Sequence, residues 1–165
     1  MPKLLATIAA QPIFKGMAPL YMQRLADNAM QVKFNAGDLI FRAGDPANRF
    51  YLIEHGQVAL EVQRKDHARG STVIQTVGEG QELGWEWLFP PHYEVFEARA
   101  VEPTQAIFFY GTRLRDECEQ DHNFGYEMMK WMAGVLVRRL QAARHQMLEK
   151  PARAPTSPKP GKNGW

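Results

Sequence analysis

The chain has 165 residues, 45% of them hydrophobic, which is enough for one buried core. Its 20 basic and 18 acidic residues leave a formal charge of +2, too even a balance to mark a nucleic-acid binder by itself. One cysteine, Cys118, excludes an internal disulfide and a cysteine-built zinc cage, and the longest apolar runs, such as Ala106 to Tyr110, fall far short of the roughly 20 residues of a membrane span. The apolar patch at the start is broken by Gln11 and Pro12 before a signal-peptide core develops, so a soluble, cytoplasmic protein without membrane contact is expected.

From Lys3 to about Met30 the apolar residues recur at helical spacing with a break at Gly16 to Pro19, which predicts two short helices. Between Met30 and Gly80 short β-rich runs alternate with Ala-Gly-Asp, His-Gly and Ala-Arg-Gly-Ser punctuation. Strands so closely and regularly spaced favour a sandwich or jelly roll over a parallel α/β sheet. Strand character returns from Glu94 to Tyr110, and the period then changes to that of helices. A short helix is expected at Arg113 to Glu119, and a long one after Asp121 or Asn123 as N-cap, ending at about Lys150 before Pro151. The fold class is thus α+β: a β jelly roll with short N-terminal helices and a long C-terminal helix. Residues 1–150 form the domain, and the Pro- and Lys-rich residues 151–165 read as a flexible tail.

The long helix, about 122–150, carries two apolar stripes. Met129, Met132, Leu136, Leu140, Ala143 and Met147 form one, and Phe124, Met128, Trp131 and Val135 the other. A terminal helix that outruns its own domain buries only one face there, so the first stripe is expected to meet a second copy or a larger complex.

The turn glycines Gly37, Gly44 and Gly56, the hairpin Phe50 to Leu60 and the closing pair of helices together resemble the cyclic-nucleotide-binding domain superfamily over Pro12 to Glu149. The resemblance implies a phosphate-binding cassette at Gly80 to Ala100. There, a Gly-Glu pair opens a short helix whose N-terminus takes the cyclic phosphate, the Glu holds the ribose, and an Arg some ten residues on pairs with the phosphate. Laid on without gaps, Gly80 and Gly84 match the cassette glycines, and Trp85 stands where the ribose Glu is implied. A rival register makes Glu82 the ribose ligand but requires a deletion in the preceding strand. In either register the phosphate Arg is missing: its place falls at Glu94 or Val95, and Arg99 matches the following strand. Glu94, with Glu86 near the cassette start, sets negative charge where an anion is implied, at a cost on the order of a few kcal/mol. Ordinary binding of cyclic AMP or cyclic GMP is therefore not expected. Of the loop aromatics, Trp87 and Phe96 are expected to fill the core, whereas Trp85, Phe89 and Tyr93 are divided between core and a protein-binding anchor.

No catalytic constellation emerges, and no cofactor or metal is expected. His55, His67, His92, His122 and His145 lack ligand spacing, and the acidic neighbours of Cys118 raise rather than lower its pKa. The basic run Arg138, Arg139, Arg144, Lys150, Arg153, Lys159 and Lys162 suits a helix C-terminus and a solvated tail, and no specific DNA contact is expected. In size and in lacking an effector domain, the chain also resembles the small accessory subunits found with bacterial NAD-reducing soluble hydrogenases. Two functions follow: a non-catalytic regulatory or accessory subunit that docks and dimerises within a larger redox assembly, or a dimeric sensor whose remodelled cassette binds a non-standard nucleotide or other small ligand.

Overall fold

Two four-stranded antiparallel sheets close on one another, and helices cover one of them. The computed structural model describes residues 2–63 and 70–149, so the expectation of a flexible tail at 151–165 lies outside the described residues. In chain order the elements are α1 (Pro2–Ala9), a 3-10 turn (Pro12–Phe14), α2 (Pro19–Asp27), β1 (Ala29–Phe34), β2 (Leu39–Phe41), β3 (Arg49–His55), β4 (Val58–Gln63), β5 (Ser71–Val77), β6 (Glu82–Leu83), β7 (Glu97–Ala100), β8 (Thr104–Tyr110), α3 (Gly111–Gln120) and α4 (His122–Glu149). One sheet runs β1-β8-β3-β6 and the other β2-β7-β4-β5. This is the expected α+β jelly roll with a long closing helix.

Alternation along β3 and β8 builds two cores at once. Tyr51, Ile53, Ala106 and Phe108 point into the roll, where they meet Val58, Leu60, Val77 and Leu83. Phe50, Leu52, Ile107 and Phe109 point the other way, against α1, the 3-10 turn, α2, α3 and α4. The second core is aromatic: Phe50 stacks on Phe109 with centroids 4.4 Å apart, Trp87 stacks on Phe50 at 5.0 Å, and Phe14 stacks on Trp131 at 5.2 Å. Each such buried ring contributes about 2–3 kcal/mol of transfer free energy.

The turns follow the Ala-Gly-Asp punctuation. In Asn35 to Asp38 and again in Arg42 to Asp45 the Asp carboxylate accepts the backbone N–H three residues before it, at 2.7 and 2.9 Å. Gly56 is required for two reasons: its φ is +96°, and a Cβ there would sit 2.7 Å from the Pro103 carbonyl oxygen.

Asp121 caps α4 as expected, its Oδ1 accepting the N–H groups of Asn123 and Phe124 at 3.1 and 3.2 Å. Its other oxygen pairs with Arg24 of α2 at 2.9 Å, which fixes the entry angle of the helix. Two readings need correction. Met30 lies in β1, opposite Phe108 of β8, because strand pairing overrides the helical spacing that reached it. Met132, assigned to the partner stripe, is fully buried with Phe124, Met128 and Val135 in the domain's own core. Among the described residues no helix is long and apolar enough to cross a membrane.

Candidate functional site: the cassette loop and the cleft beneath the long helix

The loop from Gly80 to Phe96 begins as β6, with Leu83 opposite Tyr51 and Glu82 opposite Leu52 of β3. Gly84 then turns the chain at φ +75°, where a Cβ would lie 3.2 Å from the Arg49 carbonyl oxygen and 3.5 Å from Phe41. A short helix was implied after this glycine, but residues 85–92 form only turns and bends. Pro90 and Pro91 lack the N–H groups that would carry a helix onward. Trp87 is drawn inward, fully buried on Phe50, and its carbonyl accepts a bond from Arg115 of α3. The loop therefore offers no helix N-terminus to an anion.

The return limb is sewn to the turn between β2 and β3. Ala47 donates to the His92 carbonyl at 2.8 Å, Gly44 to the Glu94 carbonyl at 2.7 Å, and Glu94 donates to the Asp45 carbonyl at 2.9 Å. Extended backbone then sends Glu94 inward, where it is buried, and Val95 outward, where it is exposed.

Glu94 lies against Glu86, which is also buried. Burial first, then the Glu86 carboxylate, a hydrogen bond with it and the charge of Asp45 push the Glu94 carboxyl up to about 8. Burial raises Glu86 as well, offset in part by hydrogen bonding to its backbone and by the Arg139 guanidinium. The two behave as one acid pair that keeps a proton at neutral pH.

Arg139 reaches this region from α4. It donates to Gln75 Oε1 of β5 at 3.2 Å and to the carbonyl oxygen of Glu82, and its Nε is buried without a partner among the described residues. Arg138 lies 3.7 Å from the Glu82 carboxylate. The two arginines, with Gln75, Val77, Gly80, Gln81 and Glu82, line a cleft of about 340 Å³ between the long helix and the roll. Deeper in, around Phe50, Gly84, Trp85 and Trp131, there is no room for a water molecule. The arrangement supplies polar contacts and a shielded charge pair but no nucleophile with a base beside it.

Residues 31–121 match the cyclic nucleotide-binding domain family. The chain belongs to that family. It is 22% identical over 142 residues to the CRP-like cAMP-activated global transcriptional regulator of Mycobacterium tuberculosis, covering 86% of this chain and 61% of the regulator. It is 34% identical over 73 residues to the cAMP-dependent protein kinase regulatory subunit of Schizosaccharomyces pombe, covering 44% of this chain and 16% of the subunit. The chain thus spans less than two thirds of either relative. A cyclic nucleotide-binding domain from Methylobacillus flagellatus superposes with a TM-score of 0.74 at 16% identity, covering 92% of this chain and 84% of that one. A cyclic nucleotide-binding protein from Geobacter metallireducens gives 0.72 at 22% identity, with 82% and 96% covered. These last two share the fold.

Within this cyclic nucleotide-binding domain the residues singled out from the sequence fall into several places. Glu82, Gly84, Trp85, Glu86, Trp87 and Glu94 gather around the loop and cleft. Arg99 instead faces the turn at Gly37, whose carbonyl it binds at 3.0 Å, and lies 3.6 Å from Glu61. Val95 faces solvent. Phe96 is half-buried against the inside of the roll, Trp85 and Phe89 pack half-buried on the helix-side core, and Tyr93 is exposed. On α4, Leu136 is half-buried, whereas Met129, Leu140, Ala143 and Met147 are exposed. Arg138 and Arg139, read as suiting a helix C-terminus, instead fold back onto β5 and β6; an arginine pair directly before Leu140 was the only trace of this in the sequence. Cys118 is pushed up to about 11 by burial and then by Glu117 and Glu119, so the thiol is not a nucleophile.

Proposed function

We propose that this chain is a non-catalytic, cytoplasmic regulatory or accessory subunit that uses the cyclic-nucleotide fold as a docking and dimerisation module within a larger redox assembly of the hydrogenase kind. The observation that carries the reading is the second half of α4, where Val137, Leu140, Met147 and Leu148 are 52%, 61%, 76% and 83% exposed. Apolar side chains displayed beyond the reach of the roll are costly unless a partner helix covers them. Residues 122–149 then act as the dimerisation helix. The cassette supports the reading from the other side: the place that the family resemblance gives to an arginine falls at buried Glu94 or exposed Val95, and in the gap-free register Trp85 takes the place of the ribose Glu. Together they remove about two decades or more of affinity for a cyclic phosphate.

The test is light scattering on the full chain in solution. A mass of twice 18.8 kDa is expected, and Leu140→Asp is expected to halve it without loss of helix content. A monomer at high protein concentration would count against the reading. A second reading, a sensor of a non-standard nucleotide or other small ligand, is favoured by the cleft beneath α4, where Arg138, Arg139 and Gln75 face a volume suited to a small anion. Thermal shift of the pure protein against dinucleotides and mononucleotides separates the two, since a pure docking module gains nothing from either.

A further inference from the structure

With Met132 assigned to the core, a more regular stripe remains on α4. Tyr126, Met129, Ala133, Leu136, Leu140, Ala143 and Met147 follow one another at alternating steps of three and four residues, the repeat of a two-stranded coiled coil. Burial separates this seam from the core. Tyr126, Met129, Leu140 and Met147 are 64%, 45%, 61% and 76% exposed, Ala133 and Ala143 are exposed and Leu136 is half-buried, whereas Phe124, Met128, Met132 and Val135 of the same helix are buried. Packing of α4 on its own domain needs only the buried set, so the fold of one chain does not account for the repeat in the other.

Area and side-chain order say what fits the seam. With exposed Val137 and Leu148 beside it, the seam offers roughly 600 Å² of apolar surface per copy, at about 100 Å² for each long side chain. The stems of Lys130 and Arg144 along its edge bring this toward the roughly 800 Å² per partner of a stable interface. An antiparallel second copy that sets Tyr126 against the partner's Ala143 leaves Met147 and Leu148, the most exposed large apolar side chains described, without cover. One that sets Leu140 against the partner's Ala143 instead leaves Tyr126 and Met129 bare. A parallel copy in register covers them all. It also avoids a charge conflict: Arg139 holds the flanking position that would oppose the partner's Arg144, but its guanidinium is turned onto Gln75 and the Glu82 carbonyl.

We propose that α4 pairs with α4 of a second copy as a parallel, in-register coiled coil running from Tyr126 to Met147. The proposal rests on the docking reading and adds to it the face, the direction and the register of the contact.

The test combines mass and crosslinking on the full chain. Light scattering gives the oligomeric state, and Ala133→Cys and Ala143→Cys, each in a Cys118→Ser background, are oxidised beside Gln141→Cys on the flank of the helix. A dimer is expected, with both seam cysteines linking to their own counterparts at least about tenfold faster than Gln141→Cys, because only a parallel, in-register pair brings both within the roughly 4–7 Å Cα separation of a disulfide. A dimer that links at one seam position alone, or at neither, would overturn the parallel seam and leave the docking reading standing, whereas a monomer would overturn both. Should Cys118→Ser fail to fold, Ala133→Glu in the otherwise unaltered chain is expected to give a folded monomer, and an unchanged mass would rule out a seam through Ala133.

Discussion

Glu94 and Glu86 face each other inside the loop that closes the roll, and the pair holds a proton at neutral pH. Folding therefore places an acid, not a base, at the centre of the cassette. The Glu94 carboxyl titrates at about 8 in the fold, against 4.5 as its ordinary value. The folded state binds the extra proton between those pH values, so this group's contribution to stability is largest below 4.5 and falls as pH rises toward 8. The span is worth on the order of a few kcal/mol. Glu94→Gln, which mimics the protonated acid, is expected to flatten this dependence and raise Tm more at pH 8.5 than at pH 5. Parallel pH profiles for the two proteins would refute the shared proton.

Arg139 joins α4 to β5 and β6, while Arg138 stands further out beside Glu82. Arg139→Met is expected to cost about 1–3 kcal/mol, since it leaves the Gln75 and Glu82 acceptors without their charged donor. Hydrogen exchange in the variant is expected to quicken in β6 and the adjacent turn of α4, and to stay unchanged in β1 and β8.

Gly111 opens α3 where a Cβ would lie 2.9 Å from the Trp87 Cβ and 3.1 Å from the Asn48 carbonyl oxygen. Gly111→Ala is expected to cost about 1–3 kcal/mol by forcing the buried indole off Phe50, a change that denaturant unfolding and tryptophan fluorescence both register.

The two halves of α4 are expected to respond differently. Met132→Ala opens a cavity in the domain core and is expected to cost about 2–5 kcal/mol at unchanged oligomeric mass. Leu140→Asp is expected to change the mass and leave chain stability within about 1 kcal/mol, because the residue is 61% exposed. Analytical ultracentrifugation and thermal melting, read together, distinguish the two effects.

How far the sequence reached is seen residue by residue. Gly56 could be read as a turn because a φ of +96° leaves almost no other choice, and Asp121 as a cap because orphan N–H groups at a helix start demand an acceptor. Met30 could not, since helical spacing continues past Asp27 and only the pairing with β8 ends it. The apolar arc of α4 was visible, but the level at which the domain stops and solvent begins depends on how high the roll stands against the helix, and that placed Met132 inside. In the cassette, the acidic character of Glu86 and Glu94 was legible as residue type. Their burial against each other, the loss of the helix after Gly84 and the reach of Arg139 back to Glu82 are tertiary, with no local pattern to announce them.

The most direct test of the whole account is calorimetric titration of the full chain with cyclic AMP and cyclic GMP at neutral pH. With a buried acid pair in the cassette and no arginine or lysine on its return limb, no saturable binding is expected up to millimolar nucleotide. A single saturable site at micromolar concentration would contradict the account, and would mean that Arg139 and the loop backbone hold the phosphate in place of the missing arginine.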